Sequence, residues 1–264
     1  MLIIILYNVN KLQNKGVVIV RILGGSTTDT LELIFYSPNY VISAQYRDDK
    51  LNFNIDKHGI SQYSKLGETP FLRGIYIYLS RFIGRSRIEF NLVQAIFFIG
   101  YIIDKFFLNV SLMDYIYVLF ILSHLLVIRI NKDMCELHGA EHMIGNYFDI
   151  HDSVTLENIN EVKKCSILHE RCSTNYLIFK VICILALRLI VGDFLIRFIL
   201  TIALHYEFIQ NRDDKMLYYL YYPLYALGKW TQKVFFVKQP RDKYIEMAIK
   251  TAMELEKYEN KHIQ

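Results

Sequence analysis

The spacing of apolar and polar positions divides the chain before any chemistry is considered. Between residues 16 and 60 the apolar residues come in short runs: "VVIVRI", "LELIFY", "VISAQYR" and "LNFNID". These runs are rich in β-branched and aromatic side chains and are separated by Gly, Ser, Pro, Asn and Asp, a punctuation that predicts strands. Their charged positions alternate too well for membrane spans, so a β-rich soluble domain is expected over residues 1–66. "GETPFLRGIYIYLSRFIGRSRIEF" (67–90) then reads as an amphipathic helix led in by Pro70, with Arg81, Arg85 and Arg87 gathered near its end. Such a helix either lies on an anionic membrane surface or packs on the sheet with a solvated basic face.

Longer apolar stretches follow in two pairs, 92–108 with 112–130 and 176–191 with 194–210. Fifteen of the nineteen residues in 112–130 are apolar, enough to cross a hydrocarbon core of ~30 Å. The second pair carries Lys180, Arg188, Asp193, Arg197 and Glu207; charges there must face protein, pair with one another, or lie in the interface. The connector 109–111 has no Lys or Arg, whereas the polar regions hold most of them, which places those regions together on the cytoplasmic or stromal side. After Pro240, apolar residues at Ile245, Ala248, Ile249 and Ala252 keep a helical period. The expected fold class is an α+β membrane protein. A small N-terminal β-rich domain is followed by about four transmembrane or membrane-embedded helices, in hairpins over 91–130 and 176–210. An inner-face loop over 131–175 lies between the hairpins, and a helical tail over 211–264 includes the amphipathic C-terminal helix.

Composition sharpens this picture in two respects. The chain is 53% hydrophobic yet still 21% charged, which suits a membrane protein with substantial polar parts; the lipid bilayer is the expected partner. A net charge of +4, spread along the sequence without a DNA- or RNA-reading motif, excludes nucleic acid as a partner. Cys135, Cys165, Cys172 and Cys183 form neither a CxxC pair nor a secreted framework and read as reduced thiols. "MLIIILYNVNK" reads as neither a signal nor a transit peptide. A bacterial inner membrane or a plastid membrane is the expected location.

The candidate chemistry sits in "CELHGAEHMIGNYFD" (135–149). If 136–148 is helical, His138 and His142 lie one turn apart on one face and can bind a single ion. Glu141 beside them could activate water, and the H-x-x-E-H spacing is that of an inverted zinc-peptidase signature. Gly139 and Ala140 keep the helix surface small, permitting close approach by another segment. A catalytic zinc needs a third protein ligand and an open position. Glu207, near the inner end of the last expected span, is the first choice for that ligand, with His169 and Cys172 as alternatives. His58, His151 and His262 read as solvent histidines, and His124 as a packed polar residue.

These boxes resemble the domain of unknown function 1385 family of bacterial and plastid-lineage membrane proteins. "LHGAEHMIGNYFD" (137–149) resembles its YHGAEHK-type box, "LHERCSTNYL" (168–177) its FHPRCGTxFL box, and "LHYEFIQ" (204–210) a later YE segment. "QPRDKYIEMAI" (239–249) is similar to a terminal EPxDxxIEVAI stretch and "PFLRG" (70–74) to a PLLRG box, while Gly24 and Gly25 fall where the family has a glycine-rich segment. Glu170 and Ser173 replace a proline and a glycine of the second box. The resemblance implies a predicted metal-dependent enzyme and no substrate.

The reading that follows is a membrane metalloenzyme, expected to be hydrolytic. His138, His142 and Glu207 hold zinc, Glu141 is general base, and Arg171 stabilises negative charge in the transition state. The alternative is a non-enzymatic membrane scaffold or assembly factor with a structural metal or none. A transporter ranks below both, since no repeat or broken-helix pattern is present.

Overall fold

The computed structural model describes residues 24–28, 30–37, 40–48, 50–57, 69–72, 75, 99–103, 112–170, 172–210 and 215–261. The chain divides into two compact units, residues 1–58, 125–175 and 227–264 in the first and 59–124 and 176–226 in the second. The "VVIVRI" run, most of the helix expected over 67–90, most of 92–108, and Arg171 lie outside the described residues.

The first unit is a helix-on-sheet arrangement. Strands β1 (Gly24–Thr27), β2 (Leu33–Tyr36), β3 (Tyr40–Arg47) and β4 (Lys50–Lys57) form an antiparallel meander in sequence order. Arg47 pairs with Lys50 across a two-residue turn, and Asp48 takes the positive φ (50°) that such tight hairpins require. Alternation along β3 buries Tyr40, Ile42 and Ala44 on one face. That face is covered by α2 (Lys132–Phe148) and by α7 (Asp242–Lys261), the last helix. Leu137, Ala140 and Ile144 of α2 and Ile245, Ala248, Ile249 and Ala252 of α7 meet Leu33, Phe35 and Ile42 of the sheet in one core.

Helix α2 is enclosed on nearly every side, with thirteen of its seventeen residues buried. Its polar groups must therefore find partners within the protein. Asn131 caps the start, its side chain accepting the Met134 amide at 3.0 Å. Glu136 accepts from the Arg241 side chain (Nε, 2.5 Å) and backbone amide, and Asp133 pairs with the same guanidinium, which ties α2 to the entry of α7.

Helix α1 (Leu112–Ile130) belongs to the second unit up to His124, and its last turns belong to the first. The second unit is further built from α4 (Leu177–Leu187), α5 (Phe194–Gln210) and most of α6 (Lys215–Thr231); the short α3 (Ile159–Val162) lies in the first. Phe179, Phe208 and Tyr225 stack in series through the second unit, with centroids 4.6 and 4.8 Å apart. Asp193 caps α5, accepting the Leu195 and Ile196 amides.

This architecture corrects the expected fold class of about four membrane-embedded helices. Among the described residues one helix, Met113–Ile130 within α1, is long and apolar enough to cross a membrane. The reason is length and interruption: α4 has eleven residues, a rise of ~16 Å against a core of ~30 Å. It ends at the turn before Asp193, and α5 carries charge within its own length. Among the described residues an α+β fold remains, and two full membrane hairpins are not present.

Candidate metal centre

Helix geometry sets the first two donors. His138 and His142 are one turn apart on α2, with ring centroids 4.2 Å apart, and both are buried. Each ring is oriented by a backbone carbonyl: His138 Nδ1 meets Phe236 O at 3.2 Å and His142 Nδ1 meets Ile167 O at 2.7 Å. A carbonyl can only accept, so each Nδ1 carries the proton and each Nε2 carries the lone pair. Orientation of this kind is characteristic of metal-ligating histidines.

The third candidate donor is Cys172. His138, His142 and Cys172 each bring one ligand atom, all within 4.8 Å of one another. Cys172 Sγ stands 3.4 Å from His138 Nε2, close to the edge of a tetrahedron with metal bonds of about 2.1 and 2.3 Å. His142 Nε2 is buried with no hydrogen-bond partner. Two neutral imidazoles, a soft sulfur and an orphaned lone pair in one place fit a borderline-soft divalent ion.

A polar loop holds the cysteine there. The His169 amide donates to Gln232 Oε1 at 3.0 Å, Gln232 Nε2 reaches Thr174 Oγ1 at 3.2 Å, and Thr174 Oγ1 lies 3.0 Å from Cys172 Sγ. Asn175 Nδ2 donates to the His169 and Glu170 carbonyls, and Asn146 Nδ2 clamps Ser166 and Leu168 to α2. After α6 the chain widens into a π-helical turn over Gln232–Phe236, which delivers the Phe236 carbonyl to His138. Lys238 then runs along α2, its amide on the Cys135 carbonyl. Gly139 permits this approach, because a Cβ there would collide with the Lys238 carbonyl oxygen.

Glu141 completes the cluster from the β1 side. Its Oε2 accepts the Thr27 hydroxyl at 2.7 Å, while the buried Oε1 has no partner. A Cβ on Gly25 would come within 2.9 Å of the Glu141 side chain, so β1 needs glycine at the point where it covers the carboxyl group. Gly24 and Gly25 entered the sequence reading only through a family box; Thr27 and Gln232 carried no motif signal.

Burial governs the ionisation of all four groups. Burial pushes His138 down to about 4, against the pull of its Phe236 hydrogen bond, and holds His142 well below the usual range, helped by the neighbouring His138 and His169. The Glu141 carboxyl is driven well above its ordinary value by burial, opposed by Thr27, and the Cys172 thiol is raised to about 12 by the same cause, opposed by Thr174. Burial thus favours the uncharged form of each group, and a bound cation would oppose that preference for the thiol and for the Glu141 carboxyl, leaving the latter able to accept a proton.

His169 is buried beside the cluster, its ring 5.8 Å from that of His142 and its Nε2 3.6 Å from Asp149 Oδ2. Glu207 belongs to the second unit, where Oε1 accepts the Phe71 amide at 2.7 Å; it is not among the clustered donors. Among the described residues, Cys172, given above as an alternative ligand, is the one that clusters with the two histidines.

Comparison with known proteins assigns the chain. The family described as protein of unknown function (DUF1385) matches residues 86–257. The chain belongs to that family. The Uncharacterized protein YqhQ of Bacillus subtilis (strain 168) is 28% identical over 256 residues, covering 90% of this chain and 75% of that protein. No solved structure matches. All three clustered donors and Glu141 fall inside the family match, whereas Gly25 and Thr27 lie before it. This member of the DUF1385 family has a His138–His142–Cys172 cluster that could hold a metal ion.

Proposed function

We propose that this chain is a metal-dependent hydrolase whose ion, zinc by the chemistry of the donors, is held by His138, His142 and Cys172. One observation carries the reading: both Nδ1 atoms are tied to backbone carbonyls, so both Nε2 lone pairs are left for a cation beside the Cys172 sulfur. A divalent ion in this set supplies Lewis acidity, polarising the group under attack and easing the deprotonation of water. Glu141 is the general base, taking a proton at its unpartnered Oε1 while Thr27 steadies Oε2. Arg171, next to Cys172 in sequence, counters negative charge in the transition state.

The second reading is a structural metal in a non-enzymatic scaffold. It is favoured by burial, since His138, Glu141, His142 and Cys172 are each at most 1% exposed, and closed sites of this kind stabilise folds outright. Two measurements separate the readings. Elemental analysis of the purified chain should give one metal per protein, lost in the His138→Ala, His142→Ala double variant; near-zero metal in both proteins would sink both metal readings. In cobalt-loaded protein, added azide should change the visible spectrum if a coordination position is open. An unchanged spectrum would leave the structural role.

A lipid bilayer is the proposed partner for the apolar side chains that α1 presents. Tyr115, Leu119, Leu122, Leu126 and Ile130 are 50–81% exposed at helical spacing. Flotation of the purified chain with phospholipid vesicles should carry it to the lipid layer; protein left at the bottom of the gradient would remove the bilayer from the proposal.

A further inference from the structure

The second unit contains a charged cluster that the metal centre does not use. Asp114, in the first turn of α1, and Arg197, in the first turn of α5, are each 2% exposed, and Arg197 Nη2 lies 2.9 Å from Asp114 Oδ1. Arg188, just past α4, brings Nη1 to 3.4 Å from Asp114 Oδ2 and is itself partly exposed. Asp193, the other carboxylate at this end, is already engaged by the Leu195 and Ile196 amides and by the Tyr101 hydroxyl, 2.9 Å from Oδ2. Among the described residues, the Arg188 and Arg197 guanidinium groups therefore share the Asp114 carboxylate as an ion pair, and neither Asp114 oxygen accepts a hydrogen bond.

Arg197 is left with buried N–H groups at Nε and Nη1 that have no acceptor. Thr201, one turn along the same face of α5 and 1% exposed, has a buried hydroxyl in the same condition. Leaving charged donors buried and unbonded is costly, and pairing α1 to α5 would need only the contact to Asp114. What Arg197 and Thr201 share is an unmet demand for acceptor oxygens on one face, and guanidinium groups suit the several oxygens of a phosphate. Apolar side chains flank the cluster. The Phe194 ring lies 5.9 Å from the Arg197 guanidinium carbon, Tyr117 meets Phe194 and Phe198 at 6.1 and 6.3 Å, and Leu189 and Ile190 in the α4–α5 turn are 90% and 81% exposed.

We infer that Arg197, Thr201 and Arg188 form a phosphate-binding site in the second unit, taking either free phosphate or the phosphate headgroup of an amphiphile. Arg197 and Thr201 are the buried anchors, and Arg188 is the cation nearest solvent. The exposed Leu189 and Ile190 beside it favour the headgroup over the free ion.

Calorimetric titration of the purified full chain with inorganic phosphate, dihexanoyl phosphatidic acid and dihexanoylglycerol tests this. Phosphatidic acid should bind and the uncharged dihexanoylglycerol should not. Thr201→Val and Arg188→Gln, neither of which removes the Asp114–Arg197 pair, should each weaken binding by about tenfold. Phosphate binding as tightly as phosphatidic acid identifies the free ion; much weaker phosphate binding identifies the headgroup. Silence with both phosphate probes overturns the site, and so do affinities that both variants leave unchanged. Metal content, read on the same samples, reports on the other unit and keeps this result separate from the hydrolase reading.

Discussion

Single side chains decide whether the centre can be assembled at all. Gly139 lets the Lys238 backbone lie against α2, and that segment carries the Phe236 carbonyl that orients His138. Gly139→Ala puts a methyl group against a backbone oxygen that a neighbouring hydrogen bond, Lys238 N to Cys135 O, holds in place. Thermal unfolding should show a loss of about 3 kcal/mol, with metal content falling in parallel; an unchanged melting temperature would mean the segment is not held there. Glu256 gives a test by pH. Burial raises its carboxyl to about 7, opposed by the Val154 amide. An acid raised on folding prefers its protonated form, so its stability contribution is complete below about pH 4 and is lost as pH climbs through about 7. Glu256→Gln should therefore match wild type near pH 4 and exceed it at pH 8 by about 1 kcal/mol, after discounting for solvent screening. Equal melting temperatures at pH 8 would refute the assignment.

At the scale of elements, α2 is where local sequence and tertiary function coincide. Its start depends on Asn131, and Asn131→Ala should cost about 1 kcal/mol in a denaturant titration without changing metal stoichiometry, because the cap lies two turns before His138. Loss of metal in that variant would show that the cap fixes more than the helix start. The same helix shows what the chain discloses before it folds. The pairing of His138 with His142 follows from the 3.6-residue period alone, strand β2 falls within the run "LELIFY", and β3 and β4 contain the runs "VISAQYR" and "LNFNID" with one residue or two added at their ends. Cys172 did not stand out over Glu207, because its placement depends on Gln232, Thr174 and Asn175, polar residues whose meaning arises only once the loop folds back on α2. The apolar stretches misled for another reason. Hydropathy counts greasy residues and not the length of unbroken helix, and Arg188 and Arg197 mark a turn and an ion-paired end instead of the middle of a span.

Across the whole molecule, the donors and their supports come from stretches far apart in sequence: β1 through Thr27 and Gly25, α2, the 167–175 loop, and residues 232–238. In an unfolded chain these stretches do not converge, so an ion that binds here binds the folded first unit, and its binding energy becomes stability of that unit. Free metal at a hundred times its dissociation constant would add about 2.7 kcal/mol. The second unit supplies none of the three clustered donors. Hydrogen exchange read along the chain should show this division. Adding zinc to chelator-stripped protein should slow the amides of α2, α7 and β2–β3 about a hundredfold, in step with that energy, and leave those of α4 and α5 unchanged. In the His138→Ala, His142→Ala variant the zinc effect should vanish while the α4 and α5 amides still exchange as in wild type. Uniform slowing across both units would mean that they open as one, and slowing confined to α4 and α5 would place the ion somewhere other than His138, His142 and Cys172.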